Sequence, residues 1–268
     1  MRLPIYFSLL MSLFLFGCGT SQSGVNKGQA NIYTVEDDIR IGAELDQQVQ
    51  KEMKILHDQA IENYVSSLAN QLYAVYPEKF LPGIRTRVVI SDQVNAFALP
   101  GGYLYVNTGL INTVGNEAEL AGVIAHEIGH AIARHGTERL TQATGVQVAA
   151  VIVGSAAGGL YGKAVGLFGT VGLLHYGRKA ELEADRLGMK DMYNANYDLH
   201  AMETMFQKLA AVQKREPGKM EQWVSTHPPI SERIEQVRQG IAEFPAQSSP
   251  RLNSQSFTNI KSRASAYK

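Results

Sequence analysis

His126, Glu127 and His130 stand in the pattern HEIGH, and residues of these types at this spacing do a definite kind of chemistry. Two histidines four apart lie one above the other on one face of an α-helix, so both imidazoles can converge on a single cation. Neutral imidazole is a good zinc ligand. A carboxylate held beside zinc-bound water takes its proton and makes a hydroxide nucleophile near neutral pH, the part that Glu127 is placed to play. Two protein ligands do not complete such a site, so a third has to come from elsewhere in the chain.

The flanking residues predict the helix that this chemistry needs. Asn116 is a capping residue, Glu117 and Glu119 are acids for a first turn, and Leu120, Val123, Ile124, Ile128 and Ile132 recur at spacings of three and four. The helix is predicted to stop at Gly136, after Arg134 and His135 in its last turn. His135 is not read as a ligand. At about 100° per residue it points about 140° away from His130, so it answers the helix dipole or faces solvent. In RKAELEADRLG, Arg178 to Gly188, Glu181 and Asp185 are four apart and share a face of a second helix, while Glu183 is turned about 200° from Glu181. Glu181 as a ligand, with Asp185 orienting one histidine through its other ring nitrogen, would complete a zinc site. For that run taken alone, an acidic solvated helix face is the alternative.

Together, HEIGH and RKAELEAD resemble the zinc metallopeptidases that include the CAAX prenyl proteases and the bacterial HtpX-type and BepA-like proteases. NAFALPGGYLYVNTGLI, Asn95 to Ile111, and THPPISERI, Thr226 to Ile234, fit the same family, and the four motifs stand in the expected order. The resemblance implies an α+β, mainly helical, zincin-like domain with a small three-stranded sheet. It implies one zinc ion held by His126, His130 and Glu181, the glutamate of an ExxAD motif carried by Glu181, Ala184 and Asp185, with Glu127 as general base. It also implies that Asn95, Ala96, Phe97 and Ala98 lie on an edge strand where an extended substrate pairs through its backbone. Gly177 stands where many relatives carry serine.

His227 sits on a loop that two following prolines make stiff. From there it could reach the zinc as a fourth ligand and make a latent enzyme. His227 or Arg233 could instead donate to the oxyanion of a tetrahedral intermediate, or the segment could only cap and pack the last helix.

Around this centre the chain divides into four stretches. Residues 1–17 read as a signal peptide: Arg2 precedes an apolar run from Leu3 to Phe16, too short for a usual membrane span. Leu15-Phe16-Gly17-Cys18 resembles a bacterial lipobox, with cleavage before Cys18 and lipid on that cysteine; Gly19 after it resembles lipoproteins sorted to the outer membrane. Residues 18–33, rich in Ser, Gly, Gln and Asn, read as a flexible lipidated tether. Residues 34–244 are assigned to the metallopeptidase domain, and residues 245–268, with little apolar content, to a disordered or loosely packed tail. The 268 residues carry one cysteine, which excludes an internal disulfide, and 25 basic against 25 acidic residues, which leaves no basic field for nucleic acid.

The elements within the domain follow from periodicity. Residues 36–53 and 59–76 read as amphipathic helices, residues 85–90, 95–99 and 103–106 as strands, and residues 178–194, 199–214 and 231–244 as further helices, the last capped by Ser231. Residues 141–174, rich in Ala, Val and Gly and interrupted by Lys163, read as a buried hairpin or a flap over the site that touches the membrane. The functional expectation is a lipid-anchored zinc endopeptidase on the outer membrane, facing the periplasm and acting on unfolded or misfolded proteins. The alternative is a protease-fold chaperone that assists outer-membrane protein assembly by binding.

Overall fold

In the computed structural model the capping box at Thr34 opens the folded chain: its hydroxyl accepts from the Asp37 N–H at 3.1 Å, the Asp37 carboxylate accepts from the Thr34 N–H at 2.9 Å, and α1, Val35–Glu52, follows. The described residues are 31–76, 81–148, 176–227 and 230–267. The leader, Cys18, most of the tether and most of the 141–174 stretch lie outside them. Asp58 accepts hydrogen bonds from the Ala60 and Ile61 N–H groups and starts α2, Gln59–Tyr73. The strands β1, Arg85–Val89, β2, Ala96–Leu99, and β3, Tyr103–Asn107, come next. They form a three-stranded sheet in the order β1-β3-β2, with β1 parallel and β2 antiparallel to β3, so β2 is an edge. Gly101 makes the tight turn between β2 and β3 with φ 75°, a conformation L side chains rarely adopt.

The rest is helical: α3, Thr108–Thr113; α4, Glu117–Ile132; α5, His135–Val148; α6, Arg178–Asn194; α7, His200–Arg215; α8, Glu221–Thr226; α9, Ile230–Ile241; and α10, Gln255–Ala264. The fold is α+β and mainly helical, as the sequence predicts. None of the described helices is long and apolar enough to cross a membrane.

Helix α4 lies at the centre. Asn116 caps it, accepting from the Glu119 N–H at 2.9 Å, and every residue from Glu117 to Ile132 is buried. The expected single apolar stripe is therefore too narrow a description: α2, β2, α6 and α7 all pack around this helix. Each fully buried Leu, Ile or Val there contributes about 1.5–3 kcal/mol, which holds the histidines at fixed positions. Helix α6 approaches α4 unusually closely. A Cβ on Gly129 would stand 2.8 Å from the Ala184 carbonyl oxygen, and one on Gly188 would stand 3.0 Å from the His126 nitrogen. Glycine at these two crossings lets the backbones meet, and that close approach carries Glu181 and Asp185 to the histidines.

The structure departs from the sequence reading in three places. Helix α4 ends at Ile132, not at Gly136, because Arg134 takes a left-handed φ of 56° and a new helix starts at His135. Arg134 is held in that conformation by long-range partners: its Nε donates to Asp38 Oδ2 at 2.6 Å and its Nη2 to the Tyr33 carbonyl at 2.6 Å. Residues 245–267, expected to be disordered or loosely packed, are not loose. Ser254 caps α10, Phe257, Ile260 and Ala264 are buried, and Arg263 and Tyr267 donate to Asp58 at 2.5 and 2.9 Å. Finally, α9 begins at Ile230, so Ser231 lies in its first turn and not at its cap.

Candidate metal centre and active site

His126 and His130 on α4, Glu181 on α6 and His227 just after α8 bring one ligand atom each to within 4.8 Å of one another, and all four are buried. The atoms that converge are His126 Nε2 and His130 Nε2, 3.1 Å apart, with Glu181 Oε1 3.4 Å from His130 Nε2 and 3.0 Å from His227 Nδ1. Asp185, one turn along α6 from Glu181, stands outside this set. Its Oδ1 is 2.8 Å from His126 Nδ1, which turns the other ring nitrogen of His126 toward the cluster.

Arg233, from α9, closes the back of the site. Its Nε and Nη2 donate to Asp185 at 2.8 and 2.6 Å, its Nη1 is 2.8 Å from Glu181 Oε2, and its guanidinium lies 4.2 Å over the Phe206 ring. With only 1% of the residue exposed, this arginine is committed to the carboxylates of Asp185 and Glu181. Its contacts give it a positioning role that the sequence reading did not consider.

Electrostatics set protonation states that suit a metal. Burial, with the Arg233 charge, pushes the His126 imidazole down to about 4 despite the opposing carboxylates, and burial holds His130 well below its ordinary value. Both rings are neutral. Burial pushes the Glu181 carboxyl up, but His227, Arg233 and hydrogen bonds from His130 and His227 outweigh it and hold it well below the usual carboxylate range. Asp185 behaves in the same way, with Arg233 opposing its burial. Two neutral imidazoles beside an ionised carboxylate are the donor set that one zinc ion requires, and the cluster fits it.

Glu127 is placed beside this set and outside it. Its Oε2 accepts from the Ala98 N–H at 3.1 Å, and its Oε1 is 3.4 Å from His227 Nε2 and accepts no hydrogen bond among the described residues. Burial raises its carboxyl to about 7, with Glu181 adding to the shift and His227 and Arg233 opposing it. Such a group can take a proton near neutral pH. Asn95, Ala96, Phe97 and Ala98 lie at or within β2, and among the described residues that strand pairs only with β3. Ala98 directs its N–H away from β3 and toward Glu127, so the unpaired edge of the strand faces the site.

Two side chains at the site, Tyr176 and Trp223, were given no role by the sequence, and a third, His135, lies elsewhere than expected. The Tyr176 ring stacks on His130 at 3.9 Å between centroids, and its N–H donates to the Thr226 carbonyl beside His227. Trp223, the only tryptophan, lies 4.7 Å from the His227 ring. His135, expected at the surface or near the helix dipole, is 1% exposed, with its Nδ1 2.8 Å from His130 Nδ1. Only the tryptophan carried a signal, as the lone residue of its type about one turn from a candidate ligand. Glu183 is not among the converging ligand atoms, as its helical phase predicts.

Residues 56–241 match the family model of peptidase family M48. The chain is 31% identical over 216 residues to a protein of Yersinia pestis named beta-barrel assembly-enhancing protease, a match that covers 76% of this chain and 44% of that protein. It is 33% identical over 190 residues to the mitochondrial metalloendopeptidase OMA1 of Arabidopsis thaliana, covering 68% of this chain and 36% of the relative. To the OMA1 of Schizosaccharomyces pombe it is 32% identical over 181 residues, covering 67% and 53%. The chain thus spans about half, or less, of the length of these relatives.

Proposed function

This chain belongs to peptidase family M48, and from that premise we propose that it is a zinc endopeptidase of the bacterial envelope that cuts peptide bonds in unfolded or misassembled proteins. One observation carries the reading. The Ala98 N–H that holds Glu127 Oε2 belongs to the edge strand on which an extended chain would pair, so one element both aligns the substrate and aims the base. His126, His130 and Glu181 would hold a zinc ion, which would polarise the scissile carbonyl and make water more acidic. Glu127 would take the proton of the attacking water on Oε1, which accepts no hydrogen bond among the described residues, and later return it to the leaving amine. Asp185 and Arg233 keep His126 and Glu181 turned inward.

The name carried by the Yersinia pestis relative makes outer-membrane β-barrel precursors the first substrate class to try and their assembly machinery a candidate neighbour. A lipid on Cys18, tethering residues 34–244 through residues 18–33 to the periplasmic side of the outer membrane, would place the site among them. Cys18→Ser should abolish lipid labelling and release the chain from the membrane fraction. Unchanged labelling would end that part of the proposal.

His227 is proposed as a reversible fourth ligand that keeps the enzyme latent. Its Nδ1 lies 3.0 Å from Glu181 Oε1, and it stands just past the end of α8 as its cap residue. His227→Ala should therefore raise basal proteolysis of an unfolded substrate. A loss of a hundredfold or more would assign it to the oxyanion instead, since removal of one such donor costs about 3 kcal/mol. Unchanged activity would leave it a packing residue.

The function is tested by incubating the zinc-loaded chain, and its His227→Ala form, with casein and with an outer-membrane β-barrel protein, unfolded and folded. Cleavage of the unfolded proteins and survival of the folded one is expected, because only an extended backbone can add to the edge strand. If neither form cleaves any unfolded protein, the rival reading of a protease fold that acts by binding takes its place.

A further inference from the structure

We propose that His135 and Glu183 are a positioning pair for His130, fixing the tautomer and the orientation in which its Nε2 meets the metal. The inference rests on reading His130 as a zinc ligand, and it extends that reading to His135, beyond HEIGH, and to Glu183, which the ligand spacing leaves without a role.

The observation is geometric. His130 has one ring nitrogen in the cluster, Nε2, and the other, Nδ1, 2.8 Å from Nδ1 of His135. One of these two nitrogens carries the shared proton. If it sat on His135, His130 Nδ1 would accept, and neutral His130 would carry its own proton on Nε2, where a metal ligand needs a lone pair. Metal binding therefore requires His130 Nδ1–H to donate to His135 Nδ1, and leaves the His135 proton on Nε2. That nitrogen is 3.5 Å from Glu183 Oε2. A carboxylate thus stands beside the nitrogen of His135 on which this tautomer puts its proton.

The arrangement balances the one on the neighbouring ligand. Asp185, backed by Arg233, takes Nδ1 of His126; His135, backed by Glu183, takes Nδ1 of His130. Tyr176 stacked on the face of His130 leaves rotation about the ring axis as the remaining freedom, and the hydrogen bond from Nδ1 removes it. The chain reversal at Arg134, with its left-handed φ, is what makes this possible: in a continuous helix His135 would face away. Its cause is the pair of hydrogen bonds from Arg134 to Asp38, so the N-terminal helix reaches the metal site through three residues.

The experiment measures zinc affinity of the full chain by competition with a chromogenic chelator, zinc alone being the probe. His135→Phe, similar in bulk but unable to accept, should bind zinc about ten- to a hundredfold more weakly, the usual cost of losing such a partner. His135→Asn, whose Oδ1 stands where Nδ1 stands in histidine, should recover most of that loss. Two-dimensional proton–nitrogen spectra of the zinc-loaded parent should place the proton of His130 on Nδ1 and that of His135 on Nε2, and they decide the matter even if the phenylalanine variant does not fold. Affinity within threefold of the parent in folded His135→Phe, or a protonated Nδ1 on His135 in the zinc-loaded chain, would overturn the pairing. A parent that binds no zinc would instead overturn the reading of the metal site itself.

Discussion

Replacing Glu181 by alanine should leave the purified chain without zinc. The carboxylate supplies the only anionic ligand of the set, and its Oε1 lies 3.4 Å from His130 Nε2 and 3.0 Å from His227 Nδ1. Losing a group that merely orients a ligand weakens metal binding by about 10–100-fold, so losing the ligand itself should cost more. Fold is also at risk, because Arg233 Nη1 is 2.8 Å from this carboxylate, and leaving one partner of a buried ion pair behind typically costs about 3–5 kcal/mol. Glu181→Gln, which keeps the shape, is the companion that separates lost metal from lost fold. Glu183→Ala should retain its zinc at saturating metal. If elemental analysis finds Glu183→Ala empty and Glu181→Ala loaded, the assignment of the ligand on α6 is wrong.

Glu127→Gln should keep both zinc and fold and lower the rate of peptide cleavage by at least about a hundredfold, the low end of what a positioned general base contributes. The amide preserves the volume inside a fully buried site and can still accept from the Ala98 N–H through its oxygen. What it lacks is the basic Oε1. Metal content equal to the parent, with cleavage reduced to that degree, would separate proton transfer from metal binding; near-normal cleavage would remove Glu127 from the chemistry.

Much of this site was legible because its residues are spaced by helical geometry. The four-residue steps from His126 to His130 and from Glu181 to Asp185 place pairs on one face whatever surrounds the helix. The cap at Asn116 is local for the same reason. His135 failed because the reading assumed a continuous helix, and the break depends on Asp38, 96 residues before Arg134. Arg233 could not be read as the partner of Asp185, since nothing in THPPISERI says which helix it will meet. The C-terminal helix was legible but overlooked: Ser254 stands before Phe257, Ile260 and Ala264 at helical spacing, a signal that bulk composition averages away.

The most direct test strips the chain of metal with a chelator, adds zinc back in steps, and follows bound zinc and casein cleavage on the same samples, using His227→Ala so that latency does not mask the result. Cleavage should vanish on stripping, return in proportion to zinc bound and level off at one ion per chain, while the same titration of a chain that also carries Glu127→Gln binds the ion and stays inactive. Cleavage that survives complete removal of the metal, or that returns in the Glu127→Gln chain as fully as in its parent, would contradict the assignment of His126, His130, Glu181 and Glu127 to this chemistry.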